Sequence, residues 1–247
     1  MNREYFVMPH WPAPSTVQAG TSCRQGGVSA APYDSLNPAS HVGDSPQAVA
    51  SNRARLGLPA EPGWLQQVHG TQVAVLEANG RIGLQADAAY TRTPGVICAV
   101  LTADCLPVLL CDRDGREVAA VHAGWRGLSA GVIEAALDLF QAPAEQILAW
   151  LGPAIGPDVY EIGEEVRRAF VEPDPANEAA FTPTRPGHWL MDIYALARRR
   201  LQQRGVDQIS GGEYCTFTNG ERFYSYRRDG VTGRMASVIW LAPDDRG

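Results

Sequence analysis

Five histidines and five cysteines hold most of this chain's capacity for chemistry near neutral pH. Two of the histidines stand beside glycine at the ends of apolar segments, in Gln67-Val68-His69-Gly70 and in Val121-His122-Ala123-Gly124-Trp125-Arg126-Gly127. Cys105 has a comparable place in Thr102-Ala103-Asp104-Cys105-Leu106-Pro107, between two apolar runs. Two imidazoles and a thiolate suit zinc, and three protein ligands leave a fourth position for water or substrate. The separations of 36 and 17 residues are unlike the tight spacing of a structural zinc knuckle. A metal at these residues would be held by the fold rather than create it. The same atoms suit a second chemistry, in which Cys105 attacks a carbonyl after deprotonation by His122 or His69. Zinc ligation and free-thiolate attack are not readily compatible at one sulfur, so metal content separates the two readings.

Other polar residues are less specific. His41, in Ser40-His41-Val42-Gly43-Asp44, either lines a pocket or bonds locally; His10 and His188 read as surface or packing residues. Cys98 and Cys111 lie in apolar runs as core thiols, whereas Cys23 and Cys215 flank polar loops. Arg24, Arg126 and the pair Arg227-Arg228 recur next to glycine-containing turns. Glycine permits close backbone approach, and a guanidinium grips phosphate or carboxylate; ordinary salt bridges are the competing role. Trp125 and Tyr226 offer rings to stack on a planar base, or to pack strand ends.

Composition excludes several classes. All 21 basic residues are arginine, so neither a Schiff-base lysine nor a P-loop is available. A net charge of -6 argues against nonspecific nucleic-acid binding. The odd cysteine count gives no disulfide framework, and no leader pattern is visible, so the expectation is a cytoplasmic protein. The apolar runs at 96–101 and 106–111 are too short for a membrane span, so no membrane partner is expected.

The elements that must position these residues follow from periodicity. A helix is expected near 46–56, with Pro46 in its first turn and Asp44 or Ser45 as cap. Strands are expected at 64–68, 72–76, 96–101, 107–111 and 117–122, then a helix over 129–140 capped by Ser129. A strand at 147–151, a short helix at 164–171 and a helix from Asp192 to Gln203 follow, with 172–186 as a proline-rich loop. Strands at 223–227 and 235–241 close the chain. Strands and helices interleave without a dinucleotide fingerprint, so the fold expected is α/β, a single domain over 1–247 with a mixed β-sheet core and flanking helices.

Taken in order, the motifs Arg24-Gln25-Gly26-Gly27-Val28-Ser29, Asn52-Arg53, Gln67-Val68-His69-Gly70, Ala86-Asp87-Ala88, Thr102-Ala103-Asp104-Cys105, His122 to Gly127, Gly152-Pro153-Ala154-Ile155-Gly156, Ser225 to Asp229 and Thr232-Gly233-Arg234 span nearly the whole chain. This series resembles the bacterial laccase-domain family, whose members are variously called multicopper polyphenol oxidases, peptidoglycan-editing factors and purine nucleoside phosphorylases. The resemblance implies zinc on His69, Cys105 and His122, which would also be the catalytic centre. It implies pocket positions at Arg24 and Asn37, with Gln67, Arg126, Tyr226 and Arg228 as further pocket candidates.

The activity implied is phosphorolysis of adenosine, inosine, guanosine and methylthioadenosine, with inorganic phosphate as co-substrate, together with deamination of adenosine. Purine nucleosides and phosphate would then be the partners of a monomer. A cysteine or zinc hydrolase that edits cell-wall muropeptide precursors is the alternative the family names carry. Multicopper electron transfer needs about ten histidines and a cysteine as a rough minimum, against five histidines in this chain.

Overall fold

The apolar runs at 97–102, 106–112, 118–123 and 147–151 become strands buried on both faces, which is why they read as continuous rather than alternating. The computed structural model describes residues 1–78 and 83–243. Its first half holds β1 (Phe6–Val7), β2 (Val17–Ser22), α1 (Pro46–Arg55), β3 (Val73–Val75), β4 (Ala88–Thr91), β5 (Ile97–Thr102), β6 (Leu106–Asp112) and β7 (Val118–Ala123). Then come α2 (Trp125–Ala130), α3 (Val132–Leu137), β8 (Ile147–Leu151), β9 (Glu161–Gly163), α4 (Glu164–Val171), β10 (Phe181–Arg185) and β11 (His188–Met191). α5 (Ile193–Gln203), β12 (Gln208–Gly211), α6 (Tyr226–Asp229) and β13 (Met235–Leu241) complete it.

The central sheet is mixed, in the order β12-β8-β6-β7-β4-β3, with β12/β8 and β3/β4 parallel and the other pairs antiparallel. A four-stranded antiparallel sheet, β1-β2-β13-β5, packs on one of its faces. Side-chain alternation builds the layers. In β6, Leu106, Val108 and Leu110 join Ile133 of α3 and Leu196 of α5, whereas Leu109 and Cys111 join Val100 and Ile239 of the second sheet. The outer face of the second sheet carries Ile97, Ala99, Leu101, Val238 and Trp240 and is covered by Leu36, Leu56 and Trp64. This is the expected α/β domain with a mixed sheet and flanking helices.

Helix ends follow ordinary capping. The Ser45 hydroxyl accepts the Ala48 N–H at the start of α1, and Asp192 accepts the Ala195 N–H at 2.9 Å at the start of α5. Four expected stretches differ. The 129–140 helix is two short ones, because Gly131 takes φ 99° between α2 and α3; α2 begins at Trp125, and the Ser129 hydroxyl donates to the Arg126 carbonyl instead of capping.

Residues 64–68 form no strand. The Gln67 side-chain amide pairs with Leu101 in place of a backbone ladder, donating to its carbonyl at 2.8 Å and accepting its N–H at 2.7 Å. Residues 223–227 pass from three consecutive buried residues, Phe223, Tyr224 and Ser225, into α6, whose first turn is closed when the Ser225 hydroxyl accepts the Arg228 N–H. The stretch 172–186 is only partly loop, since β10 pairs with β11 inside a separate three-stranded sheet, β10-β11-β9. Among the described residues no helix is long and apolar enough to cross a membrane.

Candidate metal centre

Antiparallel pairing sets Leu106 opposite Ala123 and Pro107 opposite His122, so the start of β6 and the end of β7 lie side by side. Cys105 immediately precedes β6, and His122 is the penultimate residue of β7. On the other flank of β7, Ala88 of β4 faces Val121, which brings Asp87 beside His122; the His122 N–H donates to the Asp87 carbonyl at 2.7 Å. The turn that carries His69 folds onto this corner. The ligand atoms of His69, Cys105 and His122 all lie within 4.8 Å of one another. Cys105 Sγ is 3.8 Å from His69 Nε2, and the two imidazoles meet edge-on with centroids 4.8 Å apart.

The backbone is strained at this corner. Among the described residues, His69 (φ 61°) and Asp104 (φ 100°) are the two non-glycine residues in left-handed conformations. Each costs on the order of 1–3 kcal/mol and persists only where its surroundings hold it. Asp104 is held by three bonds: its carboxylate accepts the Thr216 hydroxyl at 2.6 Å and the Arg227 N–H at 2.7 Å, and its carbonyl accepts the Ile155 N–H at 3.0 Å. Around His69, the Asp87 carboxylate accepts the N–H groups of Val68, His69 and Gly70, and also His122 Nδ1. A Cβ on Gly124 would lie 2.7 Å from His69 Cδ2 and 3.1 Å from Cys105 Sγ, so the approach of these ligands requires glycine there.

Electrostatics favour a thiolate. Burial alone would raise the Cys105 thiol, but the charge of His122 and hydrogen bonds from both imidazoles outweigh it, and the thiol falls well below its usual value. Burial would lower His122; the Cys105 charge and the Asp87 carboxylate instead raise it. Arg234, half-buried nearby, is held below the usual arginine range by burial, against the opposing charges of Cys105 and Asp104. Two imidazoles and an acidified thiol in mutual reach are a donor set that fits zinc. Among the described residues this is the one cluster of three His, Cys, Asp or Glu with such spacing.

The other residues singled out in the sequence are placed differently. Arg24 gives its guanidinium to Asp34 and to the Gly220 carbonyl, with its face over Tyr224. Asn37 is fully buried, donating to Asp44 and accepting the Arg234 N–H. Gln67 is committed to Leu101, and Arg228 donates to the carbonyls of Thr216, Phe217 and Phe223 and to Asp229. These four hold loops around the corner.

Arg126 and Tyr226 are exposed. Arg126 stacks on Trp125 and Arg227 on Tyr160, along a groove of about 450 Å³ that Arg185 and His188 also line. The groove lies beside the cluster, because Trp125 follows Gly124, which packs on His69 and Cys105, and the Arg227 N–H donates to Asp104 next to Cys105. Burial, with the Cys105 charge, raises the Tyr160 phenol there. Asp87, Gly124, Tyr160 and Arg234 are the residues that the pattern reading did not single out for a role. The signal for Asp87 was a lone acid in the apolar run Ala86-Asp87-Ala88-Ala89, where a charge must be paired.

Residues 18–242 match the family model described as multi-copper polyphenol oxidoreductase laccase. The chain is 55% identical over 240 residues to the purine nucleoside phosphorylase YfiH of Escherichia coli, covering 96% of this chain and 98% of that protein. It is 49% identical over 241 residues to the purine nucleoside phosphorylase of Haemophilus influenzae, covering 95% and 98%. Among solved structures, a Neisseria meningitidis protein of the DUF152 family model superposes with a TM-score of 0.92 at 47% identity, covering 97% of this chain and all of that one. YlmD from Geobacillus stearothermophilus superposes with a TM-score of 0.89 at 31% identity, covering 97% and 99%.

Proposed function

The chain belongs to the multi-copper polyphenol oxidoreductase laccase family, and we propose that within it this protein is a zinc-dependent purine nucleoside phosphorylase that also deaminates adenosine. The observation that carries the proposal is the convergence of His69, Cys105 and His122 on one corner in a chain so close to named purine nucleoside phosphorylases. Zinc on these three residues would supply Lewis-acid polarisation of the reacting oxygen. A copper oxidase reading is disfavoured by the donors, since five histidines in all fall short of the roughly ten that such centres use.

In phosphorolysis an oxygen of phosphate forms a bond to the sugar C1 while the bond from C1 to the purine nitrogen breaks, and the electron pair leaves with the base. The task of the chain is to hold phosphate in line with that bond. Arg24 and Arg228 have spent their donors on carbonyls and carboxylates. Among the described residues Arg126 and Arg227 make no ion pair, and both line the groove beside the cluster. Arg227 donates one N–H to the Glu161 carbonyl at 2.7 Å, whereas the Arg126 guanidinium has no hydrogen-bond partner among the described residues. Arg126 is therefore the phosphate-holding residue of this proposal, with the remaining donors of Arg227 beside it and Trp125 or exposed Tyr226 as platform for the purine. The products would be free base and pentose 1-phosphate from adenosine, inosine, guanosine or methylthioadenosine, and inosine in the hydrolytic reaction.

Cys105→Ala tests this reading. It is expected to lose zinc and both activities while keeping its fold, because the sulfur contributes to the cluster and not to the core. A folded variant with full zinc and both activities would overturn the assignment. One that keeps zinc but loses a substrate-derived covalent adduct would favour the cysteine hydrolase instead.

A further inference from the structure

Asp87 has no exposed surface, and a buried carboxylate is tolerated only when its lone pairs are filled. All four of its side-chain hydrogen bonds come from the two segments that carry the histidines. Oδ2 accepts the N–H of Gly70 at 2.7 Å and of Val68 at 3.2 Å. Oδ1 accepts the N–H of His69 at 2.8 Å and the Nδ1–H of His122, also at 2.8 Å. We infer that Asp87 is the positioning residue of the whole centre, one carboxylate that holds His69 in its left-handed conformation and, by engaging Nδ1, leaves Nε2 of His122 as the free ring nitrogen. The inference rests on the proposed reading of the cluster as a metal centre.

The geometry gives the role content. Three consecutive N–H groups converge on one carboxylate, so the 68–70 turn is closed by a side chain 17 to 19 residues further on, with no sheet ladder of its own. The strain at φ 61° on His69 is thus compensated by a charge-assisted bond at the strained residue itself. The same oxygen fixes the His122 tautomer, so the backbone that carries His69 and the ring of His122 are held together, before any ion arrives. Asparagine cannot substitute for it. Whichever way its amide turns, the NH2 meets donors, either Val68 and Gly70 or His69 and His122.

The test uses the full-length chain, wild type and Asp87→Asn, each stripped of metal and then titrated with zinc against a competing chelator. Zinc affinity of Asp87→Asn is expected to fall about 10- to 100-fold. Backbone exchange on the metal-free proteins is the second readout. The amides of Val68, His69 and Gly70 should be protected in wild type and lose protection in Asp87→Asn, while Val108 and Val121 in β6 and β7 stay protected. The third readout needs no variant, since the His122 Nδ1 proton of wild type should be slow to exchange and resolved by nitrogen-correlated NMR.

Equal zinc affinity in both proteins, unprotected 68–70 amides in wild type, or a fast-exchanging Nδ1 proton would each overturn the inference. If Asp87→Asn fails to fold, the wild-type amides and imidazole proton still decide it. If wild type itself takes up no zinc, the metal-centre reading fails, and those two zinc-independent readouts judge the positioning of the histidines separately.

Discussion

Gly124→Ala separates the proposed metal centre from the fold that carries it. Gly124 has φ -67° and ψ 159°, an extended conformation that alanine adopts without strain. Its replacement at the N-cap of α2 therefore costs only about 0.5–1 kcal/mol of stability. The new Cβ, however, would sit 2.7 Å from His69 Cδ2 and 3.1 Å from Cys105 Sγ. Ordinary contact needs about 3.5 Å, so the exposed imidazole must retreat by roughly 0.8 Å. Zinc tolerates ligand displacements of only about 0.2 Å, so one of three protein ligands is compromised. Loss of 10-fold or more in zinc affinity is expected, with a thermal midpoint of the metal-free protein lowered by only a few degrees. Chelator competition and calorimetry on the same preparations read the two effects. Unchanged zinc affinity would refute the claim that the cluster's donors are the ones that hold metal, and collapse of the fold would refute the separation of site from core.

Three further perturbations test the scaffold. Glu117, buried between β7 and the end of the α3 segment, accepts the Tyr90 hydroxyl and the N–H groups of Gln141 and Ala142; Glu117→Gln turns an amide donor onto one of these and should cost about 2–3 kcal/mol by chemical denaturation. The Tyr194 hydroxyl accepts the Ala154 N–H and bonds to the carbonyls of Tyr214 and Gly152, so Tyr194→Phe strands buried groups and should cost about 1–3 kcal/mol, an effect absent if water replaces the hydroxyl. Burial raises the phenols of Tyr90, Tyr194 and Tyr224 above the usual value near 10. Their contribution to stability is complete below about pH 10 and lost as the pH climbs toward the folded values. Phenolate absorbance should show these three and Tyr160, which burial and the Cys105 charge raise as well, four of the eight tyrosines, ionising only with unfolding, and reversible titration of all eight in the native state would contradict it.

What was legible in the sequence and what was not have physical causes. Strands 97–102, 106–112, 118–123 and 147–151 announced themselves because both faces are buried and the apolar runs are unbroken. The candidate cluster was legible as well, as a zinc site or a Cys-His pair, since His69 and His122 stand near glycines at element ends. The β6/β7 register brings Cys105 to His122, and the Asp87 carboxylate holds the turn of His69 against them. Polar side chains that replace backbone pairing left no such trace. Gln67 against Leu101 looks like part of a strand, and Arg228 binding three carbonyls looks like a free cation beside a turn. Arginines committed to the scaffold and arginines open to a groove share one local pattern, so Arg24 could not be told from Arg126 or Arg227 until their partners were visible.

The central claim is phosphorolysis at the His69, Cys105 and His122 centre. Its most direct measurement is the incubation of zinc-quantified protein with adenosine, with and without phosphate, resolving adenine, inosine and ribose 1-phosphate. Adenine and ribose 1-phosphate are expected in equal amounts only when phosphate is present, inosine in either case, and none of the three products from protein stripped of zinc. Adenine absent under every condition, or released equally without phosphate, would contradict it.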